Sequence, residues 1–217
     1  MIRTARFTII GASLLLGACA ALSGKHASFA VYAPQLHLNA AADDAAATKI
    51  RWQLLVDTPH ASAALDTTRI AVMTRPGVLE VYADARWRDP APAMLRSLIV
   101  QAFDKDGRVG GVSAIDSGLN GDYSLSMDLR DFQIELVDGS ARAAIRFTAR
   151  LFDYRSNRIV SSRSFEAEVA AAGSDIASAM VAFEQALDQL MPEVVDWTVQ
   201  QGVAHYAAVS KSEPESL

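Results

Sequence analysis

One cysteine, four histidines and three tryptophans are all that 217 residues offer of the side chains most often used to cross-link, ligate metals or anchor partners. A lone cysteine, Cys19, excludes an intramolecular disulfide. The histidines, His26, His37, His60 and His205, are scattered, with no second histidine or cysteine at ligand spacing, so no metal site is expected. Basic residues are also short, 20 against 25 acidic, and two of the 20 lie in the first six positions. That balance gives no basic face for releasing counterions from nucleic acid, and no polybasic patch for a membrane. No apolar run approaches the roughly 20 residues that a spanning helix needs. The chain has no phosphate-loop lysine and no G-x-S-x-G elbow, so neither a nucleotide cradle nor a serine nucleophile is indicated. "DKDG" at Asp104–Gly107 lacks the remaining acids of a calcium loop and reads as a helix-ending turn. Gly110-Gly111 reads as loop punctuation, and Asp43-Asp44 as a solvated pair in a polar linker. The sequence therefore nominates no catalytic residue, no cofactor-binding residue and no metal ligand.

The cysteine has a context. Arg3 and Arg6 supply a positive start, Phe7–Leu16 an apolar run, and Leu16-Gly17-Ala18-Cys19 small residues directly before the thiol. A run of about 7 to 15 apolar residues suits a cleaved secretory leader. The four-residue pattern resembles the bacterial lipobox, which implies a signal peptide over 1–18, cleavage before Cys19, and Cys19 as the lipid attachment site. Several acyl chains, at about 0.8 kcal/mol per buried methylene, anchor firmly where one chain binds only marginally. Ala20 stands where an aspartate would imply retention in the inner membrane, so an outer-membrane address on the periplasmic face is expected. Residues 19–28 read as the anchor linker.

Beyond the linker, "FAVYAP" and "KIRWQLLVDTP" read as strands, as do "RIAVMT" and "LEVYADARW" around the turn Arg75-Pro76-Gly77. Asp89 as cap, Pro90 at the first position, and Leu95, Leu98, Ile99, Ala102 and Phe103 at helical spacing predict a helix stopped by Gly107. From Tyr123 to Val137 apolar residues alternate on odd numbers through Leu129 and on even numbers from Phe132, a phase switch at Arg130-Asp131 that predicts a β-bulge. Asp138-Gly139 predicts a tight turn. A return strand with Ala143, Ile145, Phe147, Ala149 and Leu151 inward follows, then a turn at Ser156-Asn157. A third strand with Ile159, Phe165, Ala167 and Val169 inward completes an antiparallel meander. The last element is a helix capped by Ser174, carrying Ile176, Met180, Phe183, Leu187, Leu190, Val194 and Trp197 on one stripe, with a kink or break expected at Pro192. One domain over 29–202 and a flexible tail over 203–217 complete the organisation. Trp52, Trp87 and Trp197 fall in these apolar patterns and read as core.

The leader, "YADARWRDPAPAMLRSLIVQAF", "DYSLSMDLRDFQIEL…ARAAIRFTARLFDYRSNRIVSSRSFEAEV" and "AMVAFEQALDQLMPEVVDW" together resemble the ABC-type transport auxiliary lipoproteins, the PqiC-like group. The resemblance implies a single α/β domain: a mixed β-sheet with a C-terminal antiparallel meander flanked by helices, similar to the TolB amino-terminal domain. It implies a non-catalytic outer-membrane accessory of an ABC lipid transporter, working with an MCE-domain substrate-binding protein and assembling as a homo-oligomeric ring. Two other classes compete with it. One is an envelope structural or assembly lipoprotein that binds other proteins without a transport role; the other is a lipid-anchored hydrolase, for which no motif is present.

Overall fold

The computed structural model describes residues 29–38, 50–137 and 139–212. Eight strands form one mixed sheet: β1 (Ala30–Tyr32), β2 (Ile50–Val56), β3 (Arg69–Arg75), β4 (Val78–Trp87), β5 (Val109–Ala114), β6 (Tyr123–Val137), β7 (Ser140–Asp153) and β8 (Arg158–Ala170). Helix α1 (Ala91–Asp106) lies between β4 and β5, and helix α2 (Ile176–Ser212) follows β8. This is the expected single-domain α/β architecture.

Strand β6 is the spine. Along one edge it pairs antiparallel with β7 over its whole length, from Tyr123 opposite Asp153 to Val137 opposite Ser140. Along the other edge it has two parallel partners end to end: Leu54–Val56 of β2 beside Tyr123–Leu125, and Ala71–Met73 of β3 beside Gln133–Glu135. Between them the chain stays on β6, because the His60 amide donates to the Met127 carbonyl and the Leu129 amide donates to the His60 carbonyl. The sheet thus divides on that side into two wings, β2–β5 and β3–β4–β1, both held by one strand.

The expected bulge is present. Leu129 faces Phe147 while Asp131 faces Arg146, so Arg130 is the additional residue, and it points to solvent. The bulge returns Phe132 and Ile134 to the side that buries Tyr123, Leu125, Met127 and Leu129. Both predicted turns have the required glycine, Gly77 at φ 77° and Gly139 at φ 79°, and Asn157 takes the left-handed conformation at the third.

The helices cover the buried face. On α1 the predicted stripe, Leu95, Leu98, Ile99, Ala102 and Phe103, is buried, and Gly107 closes the helix at φ 72°. On α2, Met180 through Trp197 of the predicted stripe is buried over β7 and β8, with Ile176 half-buried. Three aromatic edges lock β4, β6 and α2 together: Trp87–Phe132 at 5.5 Å, Trp87–Phe183 at 5.2 Å and Phe132–Phe183 at 5.1 Å. Such pairs contribute about 0.5–1.5 kcal/mol each beyond area burial. Trp52, Trp87 and Trp197 are all core residues, as expected.

Six local expectations are corrected. Asp89 does not cap α1; it pairs with Arg88, and Pro90 occupies the cap position. Asp175, rather than Ser174, opens α2, with Oδ1 accepting the Ser178 amide at 3.0 Å and Oδ2 its hydroxyl at 2.7 Å. Pro192 neither breaks nor ends α2, because it lies on the exposed side, where the freed Asp188 carbonyl can turn to water. Residues 203–212, expected in the flexible tail, continue the helix. Gly110-Gly111 is in strand β5, not in a loop, and β5 pairs parallel with β2. On β8, a register shift opposite Leu151 and Phe152 turns Ile159 outward and lets Val160 pack on the core instead.

Gly202 sits inside α2 for a steric reason. A Cβ there would stand 2.5 Å from Cζ2 of Trp52. Gly202→Ala should lower stability by about 1–2 kcal/mol, overpacking outweighing the better helix propensity of alanine. Trp52→Phe should recover part of that loss in the double variant. Thermal or urea unfolding of the four proteins checks the cycle; equal losses added independently would mean that the two residues do not compete for space.

Candidate functional site

The one residue that the sequence nominates, Cys19, and the linker 20–28 lie outside the described residues, as do His26 and Asp43-Asp44. The remaining histidines stay apart. The His37 amide donates to Asp188 Oδ1 at 2.8 Å, His60 bridges β6, and His205 Nδ1 lies 2.9 Å from the Tyr123 hydroxyl. Among the described residues no group of three His, Cys, Asp or Glu side chains could hold a metal ion. Asp104–Gly107 ends α1: Lys105 donates to the Leu36 carbonyl at 2.7 Å, and Asp106 accepts from Arg108 at 2.7 Å.

A polar cluster stands where β6 and β7 meet α2. The Tyr123 hydroxyl and His205 are paired there. Asp153 Oδ2 accepts the Ser156 amide at 3.0 Å and hydroxyl at 2.5 Å, and Asp122 Oδ2 accepts the Gln53 amide at 2.9 Å. Arg155 Nη2 lies 3.8 Å from Asp122 Oδ1, and the Arg155 guanidinium sits 6.0 Å from the Tyr206 ring centre. Burial, with the charges of Asp153 and Asp122, pushes the Tyr123 hydroxyl up to about 12. Burial also disfavours the Asp153 carboxylate, but the hydrogen bonds from Ser156 and Arg155 outweigh it and hold that group below its ordinary value. The space among these side chains is about 10 Å³, which is at the lower limit for one water. A neutral tyrosine with no room for a substrate is a latch and not a nucleophile: it ties the last third of α2 to the sheet.

A second lacing fixes the segment before the undescribed linker 39–49. Gln35 and His37 amides donate to Glu184 Oε1 (3.0 Å) and Asp188 Oδ1 (2.8 Å), carboxylates one turn apart on α2. This strap and α1 border an open groove of about 340 Å³, lined by Pro34, Leu36, Arg88, Met94, Gln101 and Lys105. A groove of about 400 Å³ lies beside Val181 where β8 meets α2, and one of about 390 Å³ borders the end of β4. These are shallow surfaces for binding, with no convergent acid, base and nucleophile. Sequence periodicity could not mark them, because a partner-facing apolar residue has the same spacing as a core-facing one.

The Tyr123 latch gives a pH dependence. Its folded value lies above the ordinary 10, so the neutral form is favoured in the folded state. That contribution is complete below pH 10 and is lost as the pH rises toward 12. Alkaline unfolding should therefore steepen in that window, and Tyr123→Phe should flatten it while weakening the α2 attachment at neutral pH. An unchanged alkaline profile in the variant would show that Tyr123 is not the group responsible.

Comparison with known proteins agrees with this picture. Residues 35–195 match the family model described as the ABC-type transport auxiliary lipoprotein component. A Bradyrhizobium diazoefficiens protein, the uncharacterised bll6063, is 30% identical over 158 residues, which are 71% of this chain and 41% of that protein, so the chain spans about two fifths of its relative. The crystal structure of protein XCC0632 from Xanthomonas campestris superposes with a TM-score of 0.74 at 34% identity, over 82% of this chain and 99% of that one. A further crystal structure of an uncharacterised protein, 15% identical with a TM-score of 0.60 over 78% of this chain and 97% of that one, shares the fold. The chain belongs to the ABC-type transport auxiliary lipoprotein family.

Proposed function

We propose that this protein is an outer-membrane lipoprotein, attached through Cys19 at the periplasmic face, that serves an MCE-linked ABC lipid transporter as a non-catalytic accessory. The observation that carries the reading is the pattern Leu16-Gly17-Ala18-Cys19 directly ahead of a domain of the transport auxiliary family. Removal of 1–18 leaves an acylated Cys19, residues 19–28 as tether, and a folded domain from Phe29. Among the described residues no helix is long and apolar enough to cross a membrane, so the anchor carries the attachment in this reading. The described part of the domain offers grooves and a strapped helix pair, and its contribution in this reading is binding. Confinement at the membrane raises the effective concentration of those surfaces for a periplasm-crossing partner, so a modest contact suffices to hold an MCE assembly in place. Several copies of the domain around one conduit would form the ring that the family resemblance implies.

Cys19→Ser should abolish incorporation of labelled palmitate and leave the chain unprocessed or released from the outer membrane. Crosslinking of the wild type in cells should recover an MCE-domain protein, and deletion should reduce detergent resistance. Normal fractionation and labelling of Cys19→Ser would refute the anchor. An anchored protein that crosslinks only to envelope proteins unconnected with transport, with an unaltered lipid barrier on deletion, would instead identify an assembly lipoprotein.

A further inference from the structure

The open face of the sheet is not uniform. Over the meander it is a ladder of charge: Arg146 with Asp131 (2.9 Å) and Glu166 (3.2 Å), Arg142 with Glu168 (3.0 Å), and Arg150 with Asp128 (2.7 Å). Over the β1–β4–β3 wing the same face carries exposed apolar side chains beside Arg69 and Arg86. Phe29 is 52% exposed, Val31 58%, Val81 43% and Leu79 39%. The register makes them one patch. Val31 faces Arg86 across β1–β4, Arg86 faces Arg69 across β4–β3, and Arg69 lines the shallow groove that Leu79 and Val81 share with Ala63 and Ala64. Arg86 is locked in position, with Nη1 donating to the carbonyls of Tyr82 (2.8 Å) and Ala85 (2.7 Å) and its guanidinium 5.5 Å from the Phe29 ring centre. Glu80, in the same groove wall, accepts from the Thr74 hydroxyl.

Four exposed apolar side chains beside two arginines, on an otherwise acidic chain, form a surface with a definite partner chemistry. Isolated exposed apolar residues need no explanation, whereas a contiguous set does. The position of the patch identifies the occupant. Phe29 is ten residues from Cys19, so on the anchor reading an extended tether of about 3.3–3.6 Å per residue holds the patch within about 35 Å of the lipid. We infer that this wing seats on the phospholipid surface itself, with Phe29, Val31, Leu79 and Val81 at the headgroup boundary and Arg69 and Arg86 toward anionic phosphates. The anchor keeps the protein on the membrane, and the patch sets which way it faces. The helix layer, with its strap and grooves, is then turned to the periplasm. The inference rests on acylation of Cys19, and its test separates the two.

Because Cys19 is the only cysteine and is consumed by the anchor, a cysteine introduced at Val31, at Val81, or at Val203 on α2 as a control is a unique labelling site in the mature protein. Each full-length variant, purified acylated, is labelled with an environment-sensitive fluorophore and placed in phosphatidylethanolamine–phosphatidylglycerol vesicles carrying doxyl-labelled lipid. Emission at 31 and 81 should shift to the blue, with quenching several-fold stronger than at 203, and Arg69→Glu should reduce that difference. Equally wet emission at all three sites in a chain whose mass confirms acylation would overturn the seating and leave the anchor intact. Shielding that appears only on adding envelope protein would also overturn it, and would assign the patch to a protein partner. A purified chain without acyl mass would refute the anchor and the seating together.

Discussion

The structure depends on β6 being paired along both edges. A strand with a partner on one side only can shift its register, and a shift of one residue would send Leu125, Met127 and Leu129 to the wrong face. Here β7 fixes one edge from Tyr123 to Val137, with only the bulged Arg130 unpaired, while β2 and β3 divide the other between them. The bulge at Arg130 allows so long a strand to keep its apolar side chains on the helix-covered face at both ends, where Tyr123 meets His205 and Phe132 meets Phe183 of α2. The aromatic contacts among Trp87, Phe132 and Phe183 are possible only because Phe132 has been returned to the buried face.

From that arrangement the two faces acquire different work. The helix layer is closed by the Tyr123–His205 latch at one end and by the strap on Glu184 and Asp188 near the other. It presents rigid grooves rather than a cavity. The charge ladder on the meander contributes little stability, since exposed pairs are typically worth 0–1 kcal/mol each, but it keeps that half of the open face wetted. The β1–β4–β3 wing has no such ladder.

Much of this was legible in the sequence because the signals were local. The bounds of β6, its bulge, the Pro76-Gly77 turn and the Met180–Trp197 stripe follow from alternation, phase and turn chemistry alone. What escaped was set by distant partners. "VGGVSA" has no strand alternation, and it is a strand because β2 offers it an edge, with Gly110 and Gly111 close against Ile50 and Gln53. Gly202 closes the expected domain range 29–202, yet it lies inside α2 as the small residue that admits Trp52. Ile159 followed the period of β8 and was turned outward by a register shift that only its pairing with β7 reveals. Cys19 remains legible in the sequence alone, since it lies outside the described residues.

If one strand holds both wings, they should open together. Native-state hydrogen exchange in mild denaturant measures this directly. The amides of Tyr123–Leu125, which lie beside β2, and of Gln133–Glu135, which lie beside β3, should share one opening free energy equal to that of global unfolding, together with their β7 partners. Exchange of the β3-side amides through a separate, lower-energy opening, while the β2 side stays protected, would contradict the account and make the β1–β4–β3 wing an independent unit.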